Sequence, residues 1–181
     1  IELAGKIEDA WERSWALRDI AEEMARLGKF EEVIELAGKI EDAWDRSEAL
    51  RAIASEKARL GKFEEAIELA GKIEDARERS EALGGIAWEM ARLGMEERAK
   101  EVFEEAVKIA EEIEDALERL EALRAIASEM ARLGEFEEAI ELAGKIEDAW
   151  GRSEALRDIA SEKASLGEFE EAIELAGKIE D

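Results

Sequence analysis

The tetrapeptide Ile-Glu-Asp-Ala begins at Ile7, Ile40, Ile73, Ile113 and Ile146, and Ile179 opens a truncated sixth copy. The spacings are 33, 33, 40, 33 and 33 residues. Self-similarity at such a period marks an array of small supersecondary units. Each unit is too small to bury its own apolar face and must stack on its neighbours. Residues 1–181 read as a single repeat domain, with copies at approximately 1–33, 34–66, 67–106, 107–139 and 140–172 and a partial copy at 173–181.

Within one copy the pattern specifies two helices. Asp42 can cap a helix N-terminus, and in sister copies Asp9, Asp75 and Asp115 are followed three residues on by Glu12, Glu78 and Glu118, the spacing of a capping box. Apolar residues then recur at Ala49, Leu50, Ile53, Ala54, Ala58 and Leu60, which is one face of a helix. Gly61 follows, a residue that tolerates the left-handed backbone on which helices end. A second stripe, Phe63, Ala66, Ile67, Ala70 and Ile73, carries Glu64, Glu65 and Glu68 on its outer side. We refer to the two as helix A and helix B.

This unit resembles the tetratricopeptide repeat, a 34-residue helix–turn–helix with the pattern Trp-x2-Leu-Gly-x2-Tyr, then Ala-x3-Phe, then Pro. The first copy reads Leu17-x2-Ile20-Ala21-x2-Met24, then Val33-x3-Ala37; the fourth reads Leu123-x2-Ile126-Ala127-x2-Met130, then Ala139-x3-Ala143. The bulky aromatic positions have become Leu, Met and Ala, the final Pro is missing, and each copy is one residue shorter. The expected fold is all-α, a right-handed α-solenoid of stacked antiparallel helical hairpins with a 33-residue period and one 40-residue repeat. The resemblance implies a scaffold for protein or peptide partners, with helix A lining a concave groove.

Composition narrows the chemistry. The chain has no His, Cys, Pro, Tyr, Thr, Asn or Gln. Disulfides, thiol nucleophiles, zinc and iron–sulfur sites are thereby excluded, as are the usual general base and transition-metal ligand. Serines such as Ser47 and Ser128 have no base to activate them. Clusters such as Glu31, Glu32 and Glu35 read as solvated helix faces. No enzyme activity, cofactor or metal is expected. The net charge of −24 repels phosphate backbones and anionic lipid surfaces, so neither nucleic acid nor membrane is an expected partner. No targeting pattern opens the chain, which reads as cytoplasmic if natural. Glu/Ala/Leu/Arg richness fits both an engineered array and a thermophile one.

Candidate partner-binding residues lie on helix A. Arg18, Arg51, Arg124 and Arg157 form one ladder, and Arg26, Arg59, Arg92 and Arg132 a second two turns later. Guanidinium groups in a groove suit acidic peptides or a C-terminal carboxylate. Glu48, Glu81, Glu121 and Glu154 stand three positions before the first ladder and offer a simpler partner at helical spacing. The third copy has Gly84 and Gly85 in mid-helix with Trp88 one turn on, a pair of glycines costing about 2 kcal/mol relative to alanines. Trp88 and Trp15 are candidate aromatic anchors, while Trp11, Trp44 and Trp150 read as packing between repeats.

Three irregularities complete the reading. Met95 to Glu101 are seven extra residues, close to two helical turns, which keep the apolar face in phase and extend helix B by about 10 Å. The insertion reads first as a length variant that caps or braces adjacent helices; alternatively Met95, Ala99 and Val102 form a protruding contact edge. Lys57 and Lys163 replace the Met24, Met90 and Met130 of other copies and should snorkel from a half-buried stripe. The array also lacks recognisable capping helices, which suggests an alternative role as a self-assembling unit, a homo-oligomer or filament of copies of itself, through Ile1, Met95 and Ile179.

Overall fold

The computed structural model describes Ile7 and residues 9–177. Ten α-helices occupy these residues in hairpin pairs: α1 (Ala10–Arg26) with α2 (Phe30–Ala37), α3 (Ala43–Arg59) with α4 (Phe63–Ala70), α5 (Ala76–Arg92) with α6 (Glu96–Glu111), α7 (Ala116–Arg132) with α8 (Phe136–Gly144), and α9 (Ala149–Ser165) with α10 (Phe169–Ala176). The odd-numbered members are helix A of the repeat and the even-numbered ones helix B. The fold is all-α.

The expected stop and start signals set the boundaries. Asp9, Asp42, Asp75, Asp115 and Asp148 hold extended backbones, and each carboxylate accepts the N–H three residues on, at 2.6 to 3.0 Å. At the far end Gly28, Gly61, Gly94, Gly134 and Gly167 take φ between 73° and 89°. The N–H of Gly28 reaches Ala25 O and that of Lys29 reaches Met24 O, satisfying carbonyls the helix leaves open.

Consecutive A helices touch, α1 on α3, α3 on α5, α5 on α7 and α7 on α9, while each B helix packs on its own A helix and, where one follows, on the next. Among the described residues the backbones of the B helices stay apart, and only long side chains bridge them, as Arg98 of α6 does to Glu64 of α4 at 3.6 Å. The A helices form the continuous row, and clefts open between the B helices. Small and branched residues fill the interior: Ala21, Ala54, Ala87 and Ala127 allow close approach, and Ile53, Ile86 and Ile126 fill the seams. Ile40, Ile73, Ile113 and Ile146, which open the repeated tetrapeptide, are buried at the corners between copies. Arg46, Arg119 and Arg152 each donate to the carbonyl of the Ile six residues earlier at 2.8 Å, bracing that corner.

The longer third copy braces its neighbours and does not form a protruding edge. Its helix α6 has 16 residues where the other B helices have eight or nine. The phase is kept, so the added turns lie down on α5, and Ala99 and Val102 are buried against it. Met95 alone of the three is exposed, at 40 %. No helix among the described residues is long and apolar enough to cross a membrane.

Candidate partner-binding face

The first arginine ladder is a set of clamps between copies. Arg18 Nη1 lies 2.9 Å from Asp45 and 2.8 Å from Glu48, both on the next A helix. Arg51 Nε reaches Glu78 of α5 at 2.5 Å, and Arg124 bonds Glu154 at 2.5 Å and Asp158 at 2.7 Å on α9. The pattern repeats because a residue on one A helix meets residues about one period ahead on its neighbour. The third copy lacks a ladder arginine at Gly84, and there Arg77 reaches Glu121 at 3.6 Å across the same seam. Arg157 pairs within its own helix, with Glu154 at 2.9 Å.

These pairings reassign several carboxylates. Glu78 has the spacing of a capping-box partner, yet it is buried and receives Arg51 and Arg77 instead. Glu48 pairs forward and backward, 2.8 Å from Arg18 and 3.9 Å from Arg51. Burial pushes the Glu48 and Asp45 carboxyls above their ordinary range, against the pull of Arg18. Acceptors about 27 to 34 residues ahead of each arginine are visible in the sequence only once the stacking register is known.

The second ladder is more exposed. Arg59, Arg92 and Arg132 each pair with the glutamate three residues earlier, at 3.0, 3.1 and 2.9 Å, and Arg26 does the same with Glu23. Exposed pairs of this kind contribute at most about 1 kcal/mol, so their guanidinium groups can exchange partners. Arg92 and Arg132 also lie against Trp88, with guanidinium carbons 5.2 and 4.6 Å from the indole centroid. Trp88 is half-buried, and its Nε1 is enclosed without an acceptor.

One turn before Trp88 the helix A row is dented. A depression of about 200 Å³ is lined by Gly84 and Gly85 with Arg51, Ser55, Glu81, Ala125, Ile126 and Glu129. A Cβ on Gly84 would touch Ile126 at 3.4 Å, whereas one on Gly85 would meet nothing within 4 Å. Gly84 therefore serves the close approach of α5 to α7, and Gly85 leaves open space. Glu129 joins the dent to the aromatic centre, since it bonds Arg132, which lies on Trp88. Burial pushes the Glu81 and Glu129 carboxyls up; Glu78 adds to this at Glu81, and Arg132 opposes it at Glu129.

Trp15 is not brought to Trp88. It stacks on Trp11 with ring centroids 6.1 Å apart on α1, and α1 does not contact α5. Trp11 and Trp150 are 66 % and 69 % exposed and do not fill seams between repeats, whereas Trp44, 47 % exposed, packs across the α1–α3 seam under Arg18 at 5.5 Å. Of the residues expected at a self-association surface, Ile1 and Ile179 lie outside the described residues and Met95 lies at the N-terminus of α6.

The solved structures similar to this one share its architecture. That of Ton1535 from Thermococcus onnurineus NA1 matches with a TM-score of 0.55 at 21 % identity, covering 88 % of this chain and 50 % of that one. This chain thus spans about half the length of that protein. A Podosopora anserina kinesin light chain with nearly identical TPR-like repeats gives a TM-score of 0.49 at 18 % identity over 96 % of this chain and 95 % of the other; a variant of the same protein gives 0.49 at 19 % over 91 % of each. No protein-family model and no curated protein matches the sequence. In fold the protein is an all-α array of stacked helical hairpins.

Proposed function

We propose that the protein is a non-enzymatic scaffold that binds a peptide segment of a partner protein on its helix A face. The supporting observation is Trp88 held against Arg92 and Arg132 beside the depression at Gly84 and Gly85. The depression is large enough for one apolar side chain. Arg92 and Arg132 are 56 % and 45 % exposed and, while holding Glu89 and Glu129, present further N–H donors to a partner's carboxylate. The segment that fits carries an apolar residue with an acidic residue or C-terminal carboxylate nearby. Arg18, Arg51 and Arg124 are committed to joining copies and serve this face by holding its register.

The test is binding of an immobilised library of short acidic peptides to the full chain and to Trp88→Ala and Gly85→Leu variants. Selected peptides should lose at least tenfold in affinity to both variants, the first removing the aromatic wall and the second filling the dent. Equal affinity for all three proteins would overturn the reading. A chain that selects no peptide while its mass in solution climbs with concentration would instead be a self-assembling unit.

A further inference from the structure

Lys57 and Lys163 differ from the other copies' methionines in a way that defines a ligand chemistry. Neither amine snorkels to open solvent as the sequence suggests. Lys57 is 5 % exposed, its ammonium 4.5 Å from the ring centroid of Phe30 and 2.6 Å from Glu65. Lys163 repeats this at 4.0 Å from Phe136 and 2.6 Å from Glu168. Each lysine reaches from helix A into the cleft between two successive B helices, α2 and α4 in one case, α8 and α10 in the other. There the ammonium is held between an aromatic face and a carboxylate.

The cleft between α6 and α8 contains the same elements without the lysine. Phe103 is the repeat equivalent of Phe30 and Phe136, and Glu138 and Glu135 are the equivalents of Glu65 and Glu168. All three line a cleft of about 520 Å³, and Met130 stands at the lysine position. Among the described residues no ammonium or guanidinium lies over the Phe103 ring. The walls carry seven glutamates against three lysines, and one of these lysines, Lys145, is taken by Glu111 at 2.8 Å. Burial pushes the Glu135 carboxyl up, with Glu138 and Glu96 adding to the effect and Lys100 opposing it. Phe103 is covered, at 2 % exposed, with Met130 at the lysine position, so what the carboxylates lack is the cation their sister positions bind.

We propose that the α6–α8 cleft binds a lysine-bearing basic segment of a partner protein, whose ammonium bonds Glu135 or Glu138 at the cleft mouth, at the carboxylate positions that Lys57 and Lys163 use in their own clefts. The aliphatic stem of that lysine would lie along Met130 and Val107. A second copy of this chain is a poor occupant because two bodies of charge −24 repel. This surface lies among the B helices and is separate from the helix A face.

The test is calorimetric titration of the full chain at 0.15 M salt with an amidated amphipathic peptide, two repeats of Lys-Leu-Ala-Lys-Leu-Ala-Lys. One peptide should bind per chain. Met130→Lys, which installs the side chain the sister copies carry, should weaken binding at least tenfold. Ile173→Lys changes the charge equally on exposed α10 and should leave affinity within twofold. Lys163→Met should open the α8–α10 cleft and raise the stoichiometry to two. Absence of binding, equal weakening by both lysine substitutions, or unchanged affinity with Met130→Lys would overturn the proposal. Should Met130→Lys not fold, Glu138→Gln must weaken binding severalfold for the proposal to stand. Trp88→Ala should leave this peptide's affinity unchanged, which separates the site from the helix A face.

Discussion

Leu120 of α7 occupies the space that a side chain at position 151 of α9 would need: a Cβ built on Gly151 would lie 2.9 Å from Leu120 Cγ. In the first two copies Ser14 and Ser47 stand where Leu120 does, and Asp45 and Glu78 stand at the position of Gly151. One seam has exchanged a small residue facing an acidic one for a large residue facing none. Gly151 is thus not random variation but the complement of Leu120.

This pairing predicts a sign change. Replacing a mid-helix glycine with alanine should stabilise by about 1 kcal/mol where space allows. Gly151→Ala should show no such gain in the native chain and should show it in a Leu120→Ala background. A double-mutant cycle from urea unfolding should give a coupling of about 1 kcal/mol or more, and additive effects would refute the relationship.

Gly85 makes the opposite case. Its Cβ would meet open space, so Gly85→Ala should raise stability by about 1 kcal/mol, while Gly84→Ala, against Ile126, should gain less. If thermal unfolding ranks the two in reverse, the depression is not open as described.

The clamps should matter in proportion to burial. The Asp45 side chain is 4 % exposed, and Arg18→Met would leave it without its cation, at a cost of about 3 kcal/mol. Arg157, 61 % exposed, pairs only at the surface, and Arg157→Met should cost under about 0.5 kcal/mol. Similar losses from the two in denaturant titrations would contradict the inter-copy role of the ladder.

Acidification should stabilise the protein before it harms it. Asp45, Glu48, Glu81, Glu129 and Glu135 all have carboxyl groups raised above their ordinary values by burial. As pH falls from 7 toward the ordinary carboxylate range, the native state takes up protons before the unfolded chain does, so stability rises. Glu65, lowered by Lys57, acts oppositely, and its contribution is lost only below that range. Melting temperature should therefore climb as pH falls from neutrality toward the ordinary carboxylate range, and a Glu81→Gln/Glu129→Gln variant should melt higher at neutral pH with a shallower climb. A flat profile, or an identical slope in the variant, would count against these carboxyls.

The hairpins are legible in the sequence because their signals are local. Asp42 and Gly61 bracket a helix through bonds to their own neighbours, and the three/four spacing of Ile53, Ala54 and Ala58 names the buried face. The candidate face is legible only in outline. Gly84, Gly85 and Trp88 stand out in one copy, but whether Trp88 covers the glycines or leaves them open depends on where α7 places Ile126 and Arg132. Trp11 and Trp150 mislead for the same reason, since apolar character at a helix start does not reveal whether a neighbour covers it, as Arg18 covers Trp44.

The repeat, the helix boundaries and the buried stripe follow from the order of residues alone, because each is written in contacts spanning a few positions along the chain. What the charges do is a matter of packing. A glutamate three positions before an arginine looks like its partner, yet Arg18, Arg51 and Arg124 find theirs about one period ahead, across the seam between A helices. The same holds for Lys57 over Phe30 and for Met130, which stands in its place beside Phe103. Stacking brings residues 27 to 34 positions apart within bonding distance, and that register is a property of the packed array, not of any one copy.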